Sequence, residues 1–347
     1  MMLDRLGLAL PIIQAPMAGV STPALAAAVS DAGALGSISV GATDARGARS
    51  MMLELRSRTE RPFNVNVFVH QAPRVSPERD AAWLSALEAT FRGFDAEPPA
   101  NLSVIYNSFA DDDEMLALLI ELRPAVVSFH FGLPDAARIS ALKQAGCFLM
   151  ATVTNLHEAS QAVAAGMDAI IAQGWEAGGH RGIFDPEAND DRLGTVALTR
   201  LLVKRAMVPI IAAGGIMDGH GIRAMLDLGA TAAQLGTAFI ACPESAADEP
   251  YHAALFSPSA EHTTMTRAIS GRPARCVANA FTRLADGMGI SPPDYPIAYD
   301  AGKALNAAAK AAGESGFGAQ WAGQGAPLAR ALPAAELVAA MAVEMGA

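Results

Sequence analysis

The stretch VPIIAAGGIMDGHGIRAMLDLGATAAQLGTAF, residues 208–239, decides the fold prediction. It begins with a short apolar run, passes through paired glycines into a helical pattern, and returns through Gly229 to a second apolar run. A glycine just past an apolar helix is typical of a helix C-terminus, where the backbone becomes left-handed. The stretch therefore predicts a β-α-β unit with a glycine-rich loop after each strand.

The same order of apolar run, turn and helix recurs along most of the chain. Most of the runs are mainly apolar rather than strictly alternating, which is typical of parallel strands covered on both faces. The predicted strands are residues 12–15, 35–40, 63–68, 125–130, 148–153, 169–172, 209–213 and 232–236. The predicted helices are residues 23–32, 44–58, 77–91, 111–122, 134–145, 156–165, 195–205 and 219–228.

Eight such units in succession predict a (β/α)8 TIM barrel of the α/β class. A doubly wound open sheet is the alternative, but the first turn, QAPMAG, lacks the dinucleotide fingerprint GxGxxG. We expect the barrel to comprise residues 1–238 and 325–347, with an amphipathic helix at 328–346. Residues 239–324 should form a helical insertion or lid that contributes to the substrate site. Within a further insertion, residues 101–106 could form a ninth short strand.

Composition and charge exclude several classes of protein. Apolar residues make up 52% of the chain and charged residues 17%, which argues against disorder. The net charge of −10 and the scattered basic residues argue against nucleic-acid binding. Cys147, Cys242 and Cys276 form no CxxC pair, so neither a disulfide framework nor a zinc site is indicated. We expect no metal site and a reducing, cytoplasmic setting.

The uncharged stretch from residue 6 to residue 30 raises the question of a signal peptide or a membrane span. Pro11, Pro16 and Pro23 interrupt it, and its polar residues suit a strand, a turn and a capped helix. We therefore expect no membrane association. The expected assembly is a monomer or a weak homodimer.

Polar residues and glycines gather at the predicted carboxyl ends of the strands, where barrels of this type place their function. Gly214-Gly215 and Gly236-Thr237 follow the seventh and eighth strands, which is the usual phosphate location, and they offer bare backbone N–H groups. Because no Walker lysine accompanies these loops, they favour the single phosphate of a cofactor. Tight turns without a ligand are the alternative. The other polar strand-end residues are Gln14, Asn64, Asn66, His130, Thr152, Thr154, Gln173 and Gln234.

Two further segments carry candidate chemistry. His180 lies in QGWEAGGHRGIF after the sixth strand, where a neutral imidazole could accept a proton from a substrate carbon; a surface-loop histidine is the alternative. For His130, between two phenylalanines, the alternative is a core histidine. Tyr295, Tyr299 and Lys303 are spaced four apart, so a helix would place them on one face, suited to a small anionic substrate. An ordinary amphipathic face is the alternative there.

These segments resemble the nitronate monooxygenases, formerly called 2-nitropropane dioxygenases, and most closely their first class. The matching segments are PIIQAPMAGVSTPALAAAVSDAGALG, FNVNVFVH, VVSFHFGLP, ATVTNLHEASQAVAAGMDAIIAQGWEAGGHRG and VPIIAAGGIMDGHGIRAMLDLGATAAQLGTAF. They run in the family's order from the first strand to the eighth, and the late tyrosines and lysine also match. The resemblance implies an FMN-dependent barrel enzyme.

The resemblance also implies roles for single residues. His180 matches the catalytic base, and the substrate site is expected to include His130, Tyr106, Tyr299, Lys303 and Tyr295. The residues that match flavin-holding positions are Asn66, Gln173, Gly178, Gly215, Gln234, Gly236 and Thr237. Beside them we predict cofactor contacts from Ala15, Pro16, Met17, Gly179, Ala213, Gly214 and Leu235.

The implied reaction converts an alkyl nitronate and O2 into a carbonyl compound and nitrite through a flavin semiquinone. Propionate 3-nitronate is the implied physiological substrate. Two alternatives remain open: an FMN-dependent NAD(P)H:quinone or enoyl-thioester reductase on the same barrel, and a non-catalytic FMN-binding barrel. The pair GGHRG and SFHFGLP, together with the tyrosines and the lysine, favours the monooxygenase.

Overall fold

The computed structural model describes residues 2–346. In chain order its strands are β1 (Ile12–Gln14), β2 (Gly36–Ser39), β3 (Phe63–Phe68), β4 (Val126–His130), β5 (Phe148–Val153), β6 (Ala169–Gln173), β7 (Gly179–His180), β8 (Ile210–Ala213), β9 (Ala232–Leu235), β10 (Thr263–Thr266) and β11 (Ala274–Val277). Its α-helices are α1 (Met2–Leu6), α2 (Pro23–Asp31), α3 (Ala45–Arg58), α4 (Pro77–Arg92), α5 (Asp113–Leu122), α6 (Ala136–Gln144), α7 (Leu156–Ala164), α8 (Thr195–Arg205), α9 (Gly219–Asp227), α10 (Glu249–Leu255), α11 (Ala280–Asp286), α12 (Ile297–Ala311) and α13 (Ala334–Met345).

Eight parallel strands form one sheet in the order β1-β9-β8-β6-β5-β4-β3-β2. The two ends of this sheet meet, because Gln14 N–H donates to the Leu35 carbonyl at 2.9 Å and Leu35 N–H donates to the Ile12 carbonyl at 3.0 Å. The predicted barrel is confirmed. All eight predicted strands form, and each of their ends lies within one residue of its predicted position.

Apolar side chains fill the inside of the barrel, as in other closed eight-stranded sheets. Ile13, Met150, Ile171 and Ile211 are buried there together, and Met2 and Leu6 of α1 cover the amino-terminal end of the strands. Side chains therefore close the barrel interior at the amino-terminal end of the strands. Any ligand must enter from the carboxyl ends of the strands.

Local chemistry sets the helix starts that the sequence predicted. Thr22 Oγ1 accepts the Leu25 N–H at 3.0 Å, with Pro23 at the first helical position. Asn155 Oδ1 accepts the Glu158 N–H at 2.9 Å at the start of α7. These side-chain acceptors satisfy backbone donors that the first helical turn leaves free.

The C-terminal helix α13 lies between α9 and α2 and takes the place of the eighth barrel helix. It approaches α9 closely, since a Cβ at Gly219 would lie 2.2 Å from the Met341 carbonyl oxygen. The end of the chain thus completes the ring of helices. None of the helices described within residues 2–346 has the length and apolarity needed to cross a membrane.

A cap covers one side of the barrel mouth and is built from two segments. One is the connection between β3 and α5, which contains α4, and the other is residues 239–324. Helix α4 forms where it was predicted, but it packs on α12 instead of the barrel, while α5 takes the barrel position between β3 and β4. Trp83 and Leu87 of α4 contact a buried cluster that includes Phe281 and Leu305. Asp294 ties the segments together through Arg79 Nη1 at 2.7 Å.

Two details of the cap differ from the sequence predictions. Residues 101–106 form a loop, so the ninth strand was wrong. The closed barrel leaves no sheet edge with which this segment could pair, and Ser103 N–H instead donates to Asp300 at 2.9 Å. The segment 239–324 contains, besides α10 to α12, the antiparallel strands β10 and β11, which were not predicted; β7 pairs with β11.

Candidate active site

A cavity of about 340 Å³ lies at the carboxyl ends of the barrel strands, beneath the cap. The residues predicted as site residues line it with one exception: Ala15, Pro16, Met17, Asn66, Tyr106, His130, Gln173, Gly178, Gly179, His180, Ala213, Gly214, Gly215, Gln234, Gly236, Thr237, Tyr295, Tyr299 and Lys303. The exception is Leu235, whose side chain packs among the helices outside the barrel. Successive strand residues point to opposite faces, so Leu235 points away because Gln234 points in.

The loops after β8 and β9 form a glycine cradle on one side of the cavity. Gly214 and Gly215 have φ of +120° and +71°, and no described backbone hydrogen bond of the loops uses the N–H of Gly215 or Gly236. At Gly178 on the neighbouring loop, a Cβ would lie 2.4 Å from Gly323 N. Free N–H groups and close backbone approach suit a phosphate group.

The amide of Gln234 supplies a second feature that suits a cofactor. Its Oε1 is buried and accepts no hydrogen bond from any described residue. Asn66, by contrast, donates to Ser128 Oγ at 3.0 Å and accepts from Ser39 at 3.3 Å. Leaving a buried carbonyl oxygen without a hydrogen-bond donor costs folding free energy, and an N–H group of a bound ligand would satisfy it. The imide of a flavin ring carries such a group, and the residues present therefore fit FMN.

His180 is held through both its backbone and its ring. Its carbonyl accepts from Gln173 Nε2 at 3.0 Å and from His130 Nε2 at 3.1 Å. The second contact requires that His130 carries its proton on Nε2, because a carbonyl oxygen only accepts. The ring Nε2 of His180 lies 2.9 Å from Ser270 Oγ. Gln173 Oε1 also accepts the Gly182 N–H at 2.7 Å, so this amide serves to position the histidine loop.

Both histidines are uncharged near neutral pH. Burial, aided by His130 and the guanidinium of Arg272, lowers the pKa of His180 to about 3. Burial is also the main reason that the pKa of His130 falls to about 4. A neutral imidazole keeps one lone pair, so His180 can accept a proton from a ligand.

Aromatic rings surround His180 on the side of the cap. The ring centroids of Trp321, Tyr295 and Tyr299 lie 5.0, 5.5 and 6.1 Å from that of His180. Burial raises the pKa of Tyr106 to about 12 and also raises the pKa values of Tyr295 and Tyr299. These phenols therefore remain hydrogen-bond donors, and the buried Tyr295 hydroxyl has no partner among the described residues.

The predicted helical face is confirmed only in part. Tyr299 and Lys303 lie on α12, whereas Tyr295 precedes the first helical residue, Ile297, and reaches the cavity from the turn before it. Lys303 Nζ lies 4.8 Å from the Tyr106 ring centroid and 5.5 Å from that of Tyr299. No ion pair of residues 2–346 includes this ammonium group. Burial lowers its pKa, and an anionic ligand group would stabilise its charge.

Sequence similarity identifies the family that builds this site. The nitronate monooxygenase family model matches residues 1–344. The chain belongs to the nitronate monooxygenase family. A nitronate monooxygenase of Paraburkholderia phytofirmans is 61% identical over 99% of this chain and 94% of its own length. A nitronate monooxygenase of Pseudomonas aeruginosa is 53% identical, over 98% of this chain and 97% of its own.

Solved structures show the same architecture. A nitroalkane oxidase from Streptomyces ansochromogenes superposes with a TM-score of 0.91 at 40% identity, covering 99% of this chain and 97% of that chain. FabK from Thermotoga maritima superposes less closely, with a TM-score of 0.75 at 30% identity, covering 99% and 95%. The resemblance to nitronate monooxygenases that the sequence motifs indicated is thus confirmed.

Three residues of this family member's site escaped the sequence analysis. Trp321 lines the cavity from the loop after α12, and the hydroxyl of Tyr251 donates to its carbonyl. Ser270 and Arg272 lie in the cap turn Ser270-Gly271-Arg272, where Ser270 contacts His180 and the Arg272 guanidinium lies over the Phe131 ring. A Ser-Gly-Arg-Pro turn is the only sequence signal that could have found them, and it marks a turn without indicating what the turn contacts.

Proposed function

We propose that this chain catalyses the oxidation of alkyl nitronates by O2 to a carbonyl compound and nitrite, with FMN as cofactor. The observation that carries the proposal is the arrangement of one cavity. Its glycine cradle faces a neutral His180 and a cap wall with the ammonium of Lys303, in a chain 61% identical to a nitronate monooxygenase. We also propose that it belongs to the family's first class.

Residues of this chain would hold FMN at its phosphate group and at its flavin ring. The loops at Gly214-Gly215 and Gly236-Thr237 would bind the phosphate through backbone N–H groups, and Gln234 Oε1 would accept from the ring. When bound, the flavin supplies one-electron oxidation of the nitronate, which no side chain of the site can supply.

His180 would act on neutral nitroalkanes. It takes the proton from the carbon beside the nitro group, and Ser270 Oγ at its Nε2 fixes the plane of the ring. Because burial disfavours the imidazolium form, the proton is returned readily once product leaves. A nitronate that arrives as an anion needs no base, and for it His180 serves to orient the ligand.

The cap side of the cavity would orient the anion. The unpartnered Tyr295 hydroxyl can donate to a nitro oxygen, and Lys303 can pair with a second anionic group. Propionate 3-nitronate carries such a group as its carboxylate, and we propose it as the physiological substrate. Residues 239–324 would then act as the insertion that completes the substrate site, since they contribute Tyr251, Tyr295, Tyr299 and Lys303 to the cavity.

The decisive test measures both the visible absorption spectrum of the purified protein and the nitrite that it forms. Purified protein should show a flavin spectrum, release FMN on denaturation, and form nitrite from propionate 3-nitronate in air. The competing assignment is a reductase, since FabK has the same fold. Rapid anaerobic bleaching of the flavin by NADH, with no nitrite from nitronates in air, would establish the reductase instead. The cytoplasmic monomer or weak homodimer stays a prediction, and size-exclusion chromatography tests the assembly.

A further inference from the structure

Arg272 is a buried cation that forms no ion pair with any carboxylate of residues 2–346. The residue is 2% exposed, and none of the ion pairs of residues 2–346 includes it. Its Nη2 donates to the carbonyls of Ile183 and Phe184, and its Nε has no hydrogen-bond partner among the described residues. Burying an uncompensated charge is expensive, so a folded chain rarely keeps one that a neutral residue could replace.

The guanidinium lies over the Phe131 ring, which is close to the rings of both His180 and His130. Its carbon is 4.2 Å from the Phe131 ring centroid, and that centroid is 5.5 Å from the His180 ring and 4.6 Å from the His130 ring. The first two distances together limit the separation between the guanidinium carbon and the His180 ring centroid to 9.7 Å. The intervening ring is 1% exposed, so water does not screen this charge.

A short turn links the charge to the base mechanically. Arg272 N–H donates to Ser270 Oγ at 3.4 Å, and the same oxygen lies 2.9 Å from His180 Nε2. The turn is fixed, because Gly271 has φ +88° and a Cβ there would lie 2.6 Å from Tyr295 N. The turn thus joins the guanidinium and the Tyr295 segment to the Ser270 hydroxyl, which contacts the imidazole.

Other charged and titratable groups face this turn and the imidazole from the neighbouring elements. Around the His180 ring these are His130 on β4, Tyr295 before α12, and Tyr299 and Lys303 on α12. None is a carboxylate.

The groups that act on Arg272 are Glu158, Asp185, Arg267 and Tyr295. The two carboxylates are engaged elsewhere: Glu158 accepts from Thr154 and from Phe184 N–H, and Asp185 accepts the Glu187 N–H at 2.9 Å. Within residues 2–346 neither carboxylate forms an ion pair with the guanidinium, so both offset its charge only from beyond contact distance.

We propose that Arg272 is a positioning residue whose fixed positive charge favours an anionic ligand in the cavity and adds to the effect of burial in keeping His180 an unprotonated acceptor. The inference rests on the proposed function for the identity of that anion as a nitronate, but not for the preference for an anion. A unit charge ~10 Å away at an effective dielectric constant of ~20 changes an equilibrium on the order of tenfold.

The test compares two substitutions at one position. Arg272→Gln keeps a donor for the two carbonyls and removes the charge, whereas Arg272→Lys keeps the charge. With the FMN-loaded protein under anaerobic conditions, nitrite is titrated and its Kd is read from the visible flavin spectrum. We expect Arg272→Gln to weaken nitrite binding on the order of tenfold and Arg272→Lys to stay within about threefold of wild type.

A second readout does not need the flavin. Histidine labelled with ¹³C at Cε1 gives seven signals at most, and His180→Asn assigns the one of interest. Over the acid range in which the protein stays folded, the His180 signal in Arg272→Gln should begin its shift toward the protonated form at a pH about one unit higher than in wild type, and in Arg272→Lys it should not differ from wild type. A matched control is Arg138→Gln. Arg138 is also buried and lies 5.6 Å from a phenylalanine ring centroid, but it pairs with Asp113 and does not line the cavity.

The outcomes separate cleanly. A nitrite Kd and a His180 titration that Arg272→Gln leaves unchanged would overturn the proposal, as would an equal loss in Arg272→Lys, which would mark Arg272 as structural only. If Arg272→Gln does not fold, Arg272→Lys still decides, since a weakened nitrite Kd in a variant that keeps the charge contradicts the proposal. A wild-type protein that forms no nitrite from nitronates would defeat the proposed function, yet the nitrite titration and the histidine signals would still test Arg272.

Discussion

The imidazole Nε2 of His180 lies 2.9 Å from the hydroxyl oxygen of Ser270, a residue 90 positions away in the chain. His180 lies in the short strand β7, within the connection from β6 to α8 of the barrel, and Ser270 comes from the cap. The barrel therefore brings the histidine to the cavity, whereas the cap sets the plane of its ring. Activity on neutral nitroalkanes should depend on both parts of the molecule.

His180→Asn should remove the base without adding bulk or charge to the cavity, because the amide is neutral and smaller than the imidazole, although it no longer reaches Ser270. We expect kcat/KM for neutral nitroethane to fall by ~10²- to 10⁴-fold, the usual contribution of a general base. Turnover of ethylnitronate, which carries no proton to remove, should fall much less. The measurement is nitrite release from both substrates, with the flavin spectrum as the control for bound FMN. Unchanged nitroethane turnover in the variant would show that His180 is not the base.

Ser270→Ala should leave the base present but poorly oriented. A small misplacement of a reacting group is costly, so we expect kcat/KM for nitroethane to fall on the order of tenfold, with a smaller effect on ethylnitronate. The exposed Ser315 in the same segment offers a matched control, and Ser315→Ala should behave as wild type. Equal losses for both substrates in Ser270→Ala would indicate damage to the cavity as a whole rather than to the base.

Gly215→Ala should weaken FMN binding. Gly215 has φ +71°, and a Cβ there would lie 3.1 Å from the Glu176 side chain beneath the cradle. We expect the Kd for FMN, measured by flavin fluorescence, to rise by at least about tenfold, because the loop must shift away from the phosphate. Gly313 has φ +81° with open space around it, so Gly313→Ala introduces similar backbone strain outside the cavity. A similar rise in the Kd of both variants would show that lost stability, not the cradle, explains the effect.

Acid should destabilise the fold well above the pH at which carboxylates titrate. Burial lowers the pKa of His70 to about 4, as it does for His130, and lowers that of His180 to about 3. Between the unfolded value of 6.5 and these folded values, the unfolded chain binds more protons, so stability falls as pH decreases. His70 alone should cost about 2 kcal/mol of unfolding free energy between pH 7 and pH 5.

Urea unfolding of His70→Asn at the two pH values checks this prediction. The variant should lose part of the wild-type decrease in stability, whereas His157→Asn, which replaces an exposed histidine, should keep all of it. A His70→Asn variant with the wild-type pH dependence would show that the burial of this imidazole is not the cause. Its lower stability at pH 7 is no objection, because only the difference between the two pH values is tested.

Much of the fold followed from local patterns. Runs such as 169–172 are apolar throughout, and a glycine such as Gly229, at φ +100°, ends the helix before the next strand. The glycine cradle was also predictable, since loops after the seventh and eighth strands of a barrel meet at one place. Leu235 shows the limit of such reasoning, because adjacent residues in a strand have opposite faces and a loop-based prediction cannot separate them.

Other parts of the site depend on contacts between distant segments. The helical pattern of α4 does not show whether it packs on the barrel or on α12, because a buried helical face looks the same in both positions. Only the folded cap shows that Ser270 contacts His180 and that the Arg272 guanidinium lies over the neighbouring Phe131 ring. Tyr295 reached the cavity as expected, but from the turn before α12, since its four-residue spacing to Tyr299 did not reveal where the helix begins.

The sequence by itself determined the eight strands, the closed barrel with its glycine loops, and the family, because periodicity, turn chemistry and motif order are properties of the chain that need no partner. Only the tertiary structure decided that a turn of the cap holds the imidazole of His180 and that a buried guanidinium lies within 9.7 Å of it. The reason is physical: the protonation state and orientation of a side chain depend on burial and on neighbouring charges, which arise only when residues far apart in the chain are packed together.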